Sequence, residues 1–265
     1  MSNAKKIVHV IQYELQHLIE RRITALLLAG YALLSLFISA FDSLREAYFH
    51  CFDFLALEIA NFILPVFLLI NLILVLSPVF AGEIENHIEE IPSTCLYGRR
   101  IRCICKLYAA LLFVILLNAA YHLITCIIVL SAHPLWMWGQ PVAGIAGDIV
   151  FDFCWNGKAH YLFAAFSLLM GSIVTAVLTL LISCISKAAM TVCAVMSFIS
   201  IIEYMFNRFS FWKFLRQYNI WQLLKPYKLV LNVPFNSLAA NIASIAGFFA
   251  VICAISVWII LKKGN

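Results

Sequence analysis

Apolar residues fill six long stretches of this chain, at 23–41, 59–81, 107–130, 161–185, 188–202 and 238–261, and the connectors between them hold most of the charge. A helix rises about 1.5 Å per residue, so an uncharged run of roughly 20 residues spans a bilayer core about 30 Å thick. The first run carries no charged residue. Pro65 and Pro78 in the second predict kinks rather than an end to the span. The fifth run is short and follows the fourth after a tight turn. The pattern predicts an all-α polytopic membrane protein with six transmembrane helices, residues 23–265 forming the membrane domain.

The segment ahead of the first run has a different rhythm. Ile7, Ile11, Leu15 and Leu18 recur at helical spacing, while Lys6, His9, Gln12, Glu20 and Arg21 fall elsewhere around the wheel. Residues 1–22 therefore predict an amphipathic helix that lies along the membrane interface rather than crossing it.

The one dense block of charge, 82–106, joins the second and third runs. Gly82 to Ile91 predicts a short acidic helix that ends at Pro92, with Glu85, Glu89 and Glu90 in water and Ile84, Ile88 and Ile91 opposite. Arg99, Arg100, Arg102 and Lys106 then lead into the third run. Carboxylates near a helix start and cations beyond its end suit the helix dipole. A small amphipathic helix presented this way can seat in a groove on a soluble partner. A solvated loop whose arginines meet lipid phosphates accounts for the same residues equally well.

Composition agrees with a chain built for lipid. Hydrophobic residues make up 64% and charged residues 12%, with mean hydropathy +0.98, against roughly half and a quarter in soluble domains. The spans leave no room for a separate folded enzyme domain. The net charge of +5 belongs to the flanks, with no basic face for nucleic acid. With the N-terminus inside, eleven of the eighteen Lys and Arg residues lie on the cytosolic side, which predicts a multi-pass protein of the cytoplasmic membrane with both termini cytosolic. The first run is too long for a signal-peptide core and reads as a retained span.

The outer connectors are aromatic. Trp136, Trp138 and Trp155 lie in 131–160, and residues 203–237 mix Phe206, Phe209, Phe211, Trp212, Phe214, Tyr218 and Trp221 with basic residues. That mixture predicts short helices half-buried in the outer interface and dipping back, an anchoring belt before a substrate site. Most cysteines sit in apolar runs as small hydrophobes. Cys51 and Cys154 fall in outer loops where a disulfide is open. Cys103 and Cys105 with His87 lack the spacing of a zinc site, and no metal is expected.

Catalytic signatures are missing. No Gly-x-x-x-x-Gly-Lys-Ser/Thr stretch exists to cradle phosphates. Glu89-Glu90 begins like the Glu-Glu-x-x-x-Arg signature of CAAX-type intramembrane proteases, but Thr94 stands where the arginine belongs. Gly171-Ser172 opens no nucleophile elbow. Ion coupling normally keeps ionisable groups at membrane depth despite their cost, and here only His122 lies deep in a span. Asn118 and His122 share a helix face, and Thr175, Thr179 and Ser183 form a polar stripe on the fourth span. These five are candidates to line a pathway, with interhelical hydrogen bonding the simpler alternative.

Together these residues resemble the membrane subunits of type-2 ATP-binding-cassette exporters, which have a cytosolic interfacial helix, six spans and an acidic coupling segment between spans two and three. The family's early Glu, its Ser-Thr, its Gly-Arg and the Lys opening span three correspond here to Glu83, Ser93-Thr94, Gly98-Arg99 and Lys106. His87 departs from the pattern, since many members have Gly there. The resemblance implies that a cytosolic coupling helix, with Glu83, Glu85, His87, Glu89, Glu90, Ser93, Thr94, Gly98 and Arg99, meets a separate ATPase subunit that binds ATP and Mg. It further implies a second permease copy, identical or similar, and a hydrophobic or amphipathic cargo such as an antimicrobial peptide or antibiotic, with no cofactor in this chain. The competing readings are a stand-alone membrane binding or immunity protein, and a secondary transporter using His122.

Overall fold

The computed structural model of the chain describes residues 3–45, 63–86, 98–132, 157–206, 223–224 and 238–263. Helices α1 (Asn3–Ile19), α2 (Arg22–Arg45), α3 (Leu64–Leu76), α4 (Ala81–Glu85), α5 (Gly98–Ala132), α6 (Gly157–Ile185), α7 (Ala189–Phe206) and α8 (Leu238–Lys263) follow in order, and no strand occurs among the described residues. Five stretches are long and apolar enough to cross a membrane: Arg22–Ala40, Leu64–Glu85, Ile101–Ser131, Tyr161–Ile185 and Ala243–Lys262. The apolar part of α7, Ala189–Ile202, is shorter. The protein is an all-helical, membrane-embedded bundle.

Burial orders the helices. The stretch through α3 and α4 is 72% buried, against 22% for those in α2 and α8. α3 therefore runs through the middle of the bundle, touching α2, α5, α6 and α7, while α8 lies outside against α6 and α5. Leu64, Leu68, Leu72 and Leu76 recur at i,i+4 and are fully buried, the spacing that stacks side chains on one helix face. Leu26 at 71%, Phe37 at 59% and Trp258 at 61% exposure are costly in water and ordinary against acyl chains.

Three boundaries differ from those that the hydrophobic pattern predicts. α5 holds 35 residues, about 52 Å, and begins at Gly98, so the basic run is helical and extends the third span instead of forming a loop before it. The second span is interrupted: α3 ends at Leu76, residues 77–80 form a turn, and α4 starts at Ala81. The acidic helix ends at Glu85, where Asn86 leaves the helical backbone region at φ −92° and ψ 9° and adds a side-chain Nδ2 hydrogen bond to the Gly82 carbonyl that its own backbone N–H already meets. His87, Glu89, Glu90, Ser93 and Thr94 lie outside the described residues, as do Cys51, Cys154, Trp136, Trp138 and Trp155.

α1 packs along α5 through the predicted stripe. Leu18 is 4% exposed, Ile7, Ile11 and Leu15 are half-buried, and Val8 and Tyr13 face outward. Of 203–237, residues 223–224 are described beyond α7. Leu223 and Leu224 are buried against the middle of α6, where a Cβ on Gly171 would come within 2.9 Å of Leu224 Cδ2. The Leu223 carbonyl accepts a hydrogen bond from Ser167 Oγ at 2.6 Å. Gly171 is about 21 Å from either end of α6 at 1.5 Å per residue, so this segment reaches the depth of the helix centre.

Candidate functional site: the elbow between the second and third spans

Proline at position 78 has no N–H and ends α3. A chain break inside a membrane bundle opens backbone groups that must find partners, at several kcal/mol each if they do not. The partners here are side chains from three other elements. In a continuous helix Val79 N–H would bond the Val75 carbonyl; in the turn it bonds Leu76 O at 3.1 Å. Val75 O accepts instead from Arg21 Nη1 at 2.9 Å. Glu83 N–H likewise turns to Phe80 O, and Val79 O accepts from Lys106 Nζ at 2.6 Å.

Ser183 of α6 closes the remaining gap. Its hydroxyl donates to Ser77 O at 2.6 Å and accepts from the backbone N–H groups of Phe80 and Ala81 at 3.1 and 3.0 Å. Ser77 O and Ala81 N–H are the pair that an intact helix would join directly, so one side chain from another span inserts into the opened ladder. A Cβ on Gly82 would meet Pro78 Cβ at 3.1 Å, which keeps α4 close behind the break.

The acidic residues of α4 turn inward. Glu83 Oε1 receives both Arg102 Nη2 and Lys106 Nζ, the latter at 2.7 Å. Lys106 is 4% exposed and lies over the Phe80 ring at 5.2 Å. Glu85 Oε2 accepts from Ala189 N–H, the first residue of α7, at 3.1 Å, a placement that the helix dipole favours. Burial lowers the pKa of the Arg21 guanidinium, with the nearby Glu14 carboxylate opposing the shift, and arginine remains a cation. The elbow is thus tied to the α1–α2 joint, α5, α6 and α7.

The predicted site residues divide accordingly. Glu83 and Glu85 are in this joint, and both carboxylates are used within the chain. Gly98 and Arg99 lie in the first turn of α5. Ser183, predicted with the polar stripe, belongs to the elbow. Thr175 and Thr179 are buried, their hydroxyls donating to the Gly171 and Thr175 carbonyls of their own helix. Asn118 Nδ2 donates to Val114 O, and its Oδ1 accepts from Ser172 Oγ at 3.4 Å. His122 Nδ1 is 3.0 Å from Tyr161 OH, and its buried Nε2 has no hydrogen-bond partner among the described residues.

Sequence reading missed Arg21 and Lys106 as carbonyl partners, since Arg21 passed as a flanking charge and Lys106 as the residue opening the third span. It also missed a second polar cluster nearer the opposite end of the bundle. There Tyr31 OH pairs with Thr125 Oγ1 at 2.5 Å, Thr125 donates to Tyr121 O, and Asn71 Nδ2 donates to Tyr121 OH at 3.2 Å. The Tyr31 and Tyr121 rings meet edge to face at 4.9 Å. The available signal was Asn71, one of two asparagines within the apolar run at 59–81.

Comparison with protein-family models, with curated proteins and with solved structures finds no match for this chain.

Proposed function

We propose that this chain is the membrane subunit of an ATP-driven exporter of the type-2 ATP-binding-cassette class, in which separate cytosolic ATPase subunits bind ATP and Mg and deliver force through the elbow. The single observation that carries the reading is the joint itself. One short charged element after the second span is bonded to the α1–α2 joint, α5, α6 and α7, so a push on it displaces much of the bundle as a body. Among the described residues no Asp, Glu, Lys or Arg lies in the middle of a span, which favours a driving force from outside the chain. In this reading α7 is the fifth of six spans, both termini are cytosolic in the cytoplasmic membrane, two permease copies form the pathway, and the cargo is hydrophobic or amphipathic, of the peptide or antibiotic kind.

The inward use of Glu83 and Glu85 refines the proposal. They position the elbow, and direct recognition of the ATPase falls to residues 87–97 and the start of α5. The test is purification from the native membrane in mild detergent with identification of every subunit. The reading predicts a soluble partner with a phosphate-cradling loop, whose ATP hydrolysis the membrane subunit stimulates and Glu83→Gln weakens. Nucleotide-independent pumping by the chain alone contradicts it.

A second reading, a secondary transporter, draws on His122 Nε2, unpartnered among the described residues. It predicts pH-dependent uptake by the chain alone that His122→Ala abolishes.

A further inference from the structure

A cleft of about 390 Å³ opens where α1, the elbow and the first turns of α5 meet. Among the described residues its ionisable lining is Glu14, His17, Arg21, Glu83, Arg102 and Lys106. Within that described lining the three cations Arg21, Arg102 and Lys106 face the two carboxylates Glu14 and Glu83. Arg102 and Lys106 share a single oxygen of Glu83, so one positive charge is left over. Arg21 and Arg102 each commit one terminal nitrogen, to Val75 O and to Glu83 respectively. A guanidinium has five N–H donors in a planar fork that matches phosphate oxygens.

The position of the cleft narrows the chemistry. One wall is the amphipathic helix α1, whose outward Val8, Tyr13 and Ile19 are exposed apolar groups suited to the headgroup layer. Basic pockets beside transmembrane helices at this level recognise anionic lipid headgroups. We infer that this cleft binds a phosphate monoanion of the kind an anionic phospholipid headgroup carries, held between Arg21 and Arg102, with Glu14 limiting its affinity. The inference does not depend on ATP-driven transport.

The experiment uses native mass spectrometry of the full chain in detergent, titrated separately with short-chain phosphatidylglycerol, short-chain phosphatidylcholine and inorganic phosphate. Selective retention of phosphatidylglycerol is expected. Arg21→Gln and Arg102→Gln should each reduce it about fivefold, the contribution of one cation at a lipid surface. Glu14→Gln should strengthen it by a similar factor, an increase that misfolding does not produce. Lys262→Gln, a cation on α8 beside Trp258, should leave it unchanged. Binding of inorganic phosphate with the same variant pattern also supports the site and assigns it to a soluble anion. Equal retention of both lipids without phosphate binding overturns the proposal. So does retention that Arg21→Gln and Arg102→Gln leave intact, or that Lys262→Gln lowers as much as they do.

Discussion

The elbow and the Tyr31–Asn71–Tyr121 cluster are both polar islands in an apolar bundle, and they are built on opposite plans. At the elbow, side chains from distant elements satisfy backbone groups that a proline break has opened: Arg21 on Val75 O, Lys106 on Val79 O, Ser183 across Ser77 O and Ala81 N–H. In the cluster, polar side chains bond chiefly one another across α2, α3 and α5, and Asn71 Oδ1 is left without a partner among the described residues at full burial. Loss of a partner at the elbow strands main chain, which has no other rotamer to adopt. Loss of a partner in the cluster strands only a side chain. The elbow is therefore the stiffer and costlier element, the property a lever needs.

Substitutions can break or sharpen that contrast. The largest effect is expected from Lys106→Met, which removes a buried cation from Glu83 and a donor from Val79 O. A destabilisation of about 3 kcal/mol is expected, measured by unfolding in mixed detergent micelles. Tyr121→Phe in the cluster removes one interhelical hydrogen bond and should cost about 0.6 kcal/mol by the same assay. Asn71→Leu should be the mildest, within about 0.5 kcal/mol of the parent or more stable, because it also removes the orphaned Oδ1. If Lys106→Met proves as mild as Tyr121→Phe, the distinction between the regions fails.

Much of the architecture was legible from hydrophobic runs, since a span declares itself by about 20 apolar residues. The runs at 23–41, 107–130, 161–185 and 238–261 all fall within α2, α5, α6 and α8. The elbow was legible as a charged block that opens with a short acidic helix, but its bonding was not. Pro78 announced a disturbance, but what Pro78 does to the chain depends on Ser183, which lies 106 positions from Ser77. Periodicity carries no such information. Ser183 shared helical spacing with Thr175 and Thr179, yet those two bond their own helix while Ser183 serves another. Spacing places residues on a face and is silent on what meets that face. The start of α5 was missed for a local reason: the charges of Arg99 to Lys106 set the start of the apolar run at 107, although nothing after Gly98 breaks a helix.

The most direct test of the account is hydrogen exchange of the elbow amides in lipid nanodiscs, comparing the parent chain with Ser183→Ala. The substitution leaves Phe80 N–H, Ala81 N–H and Ser77 O without partners, at about 1–3 kcal/mol each. The account predicts exchange in 77–85 at least about tenfold faster, with 110–130 of α5 unchanged. Equal exchange in both proteins would show that the break is held by something other than Ser183, and the elbow would lose its claim to be a joint built by the other helices.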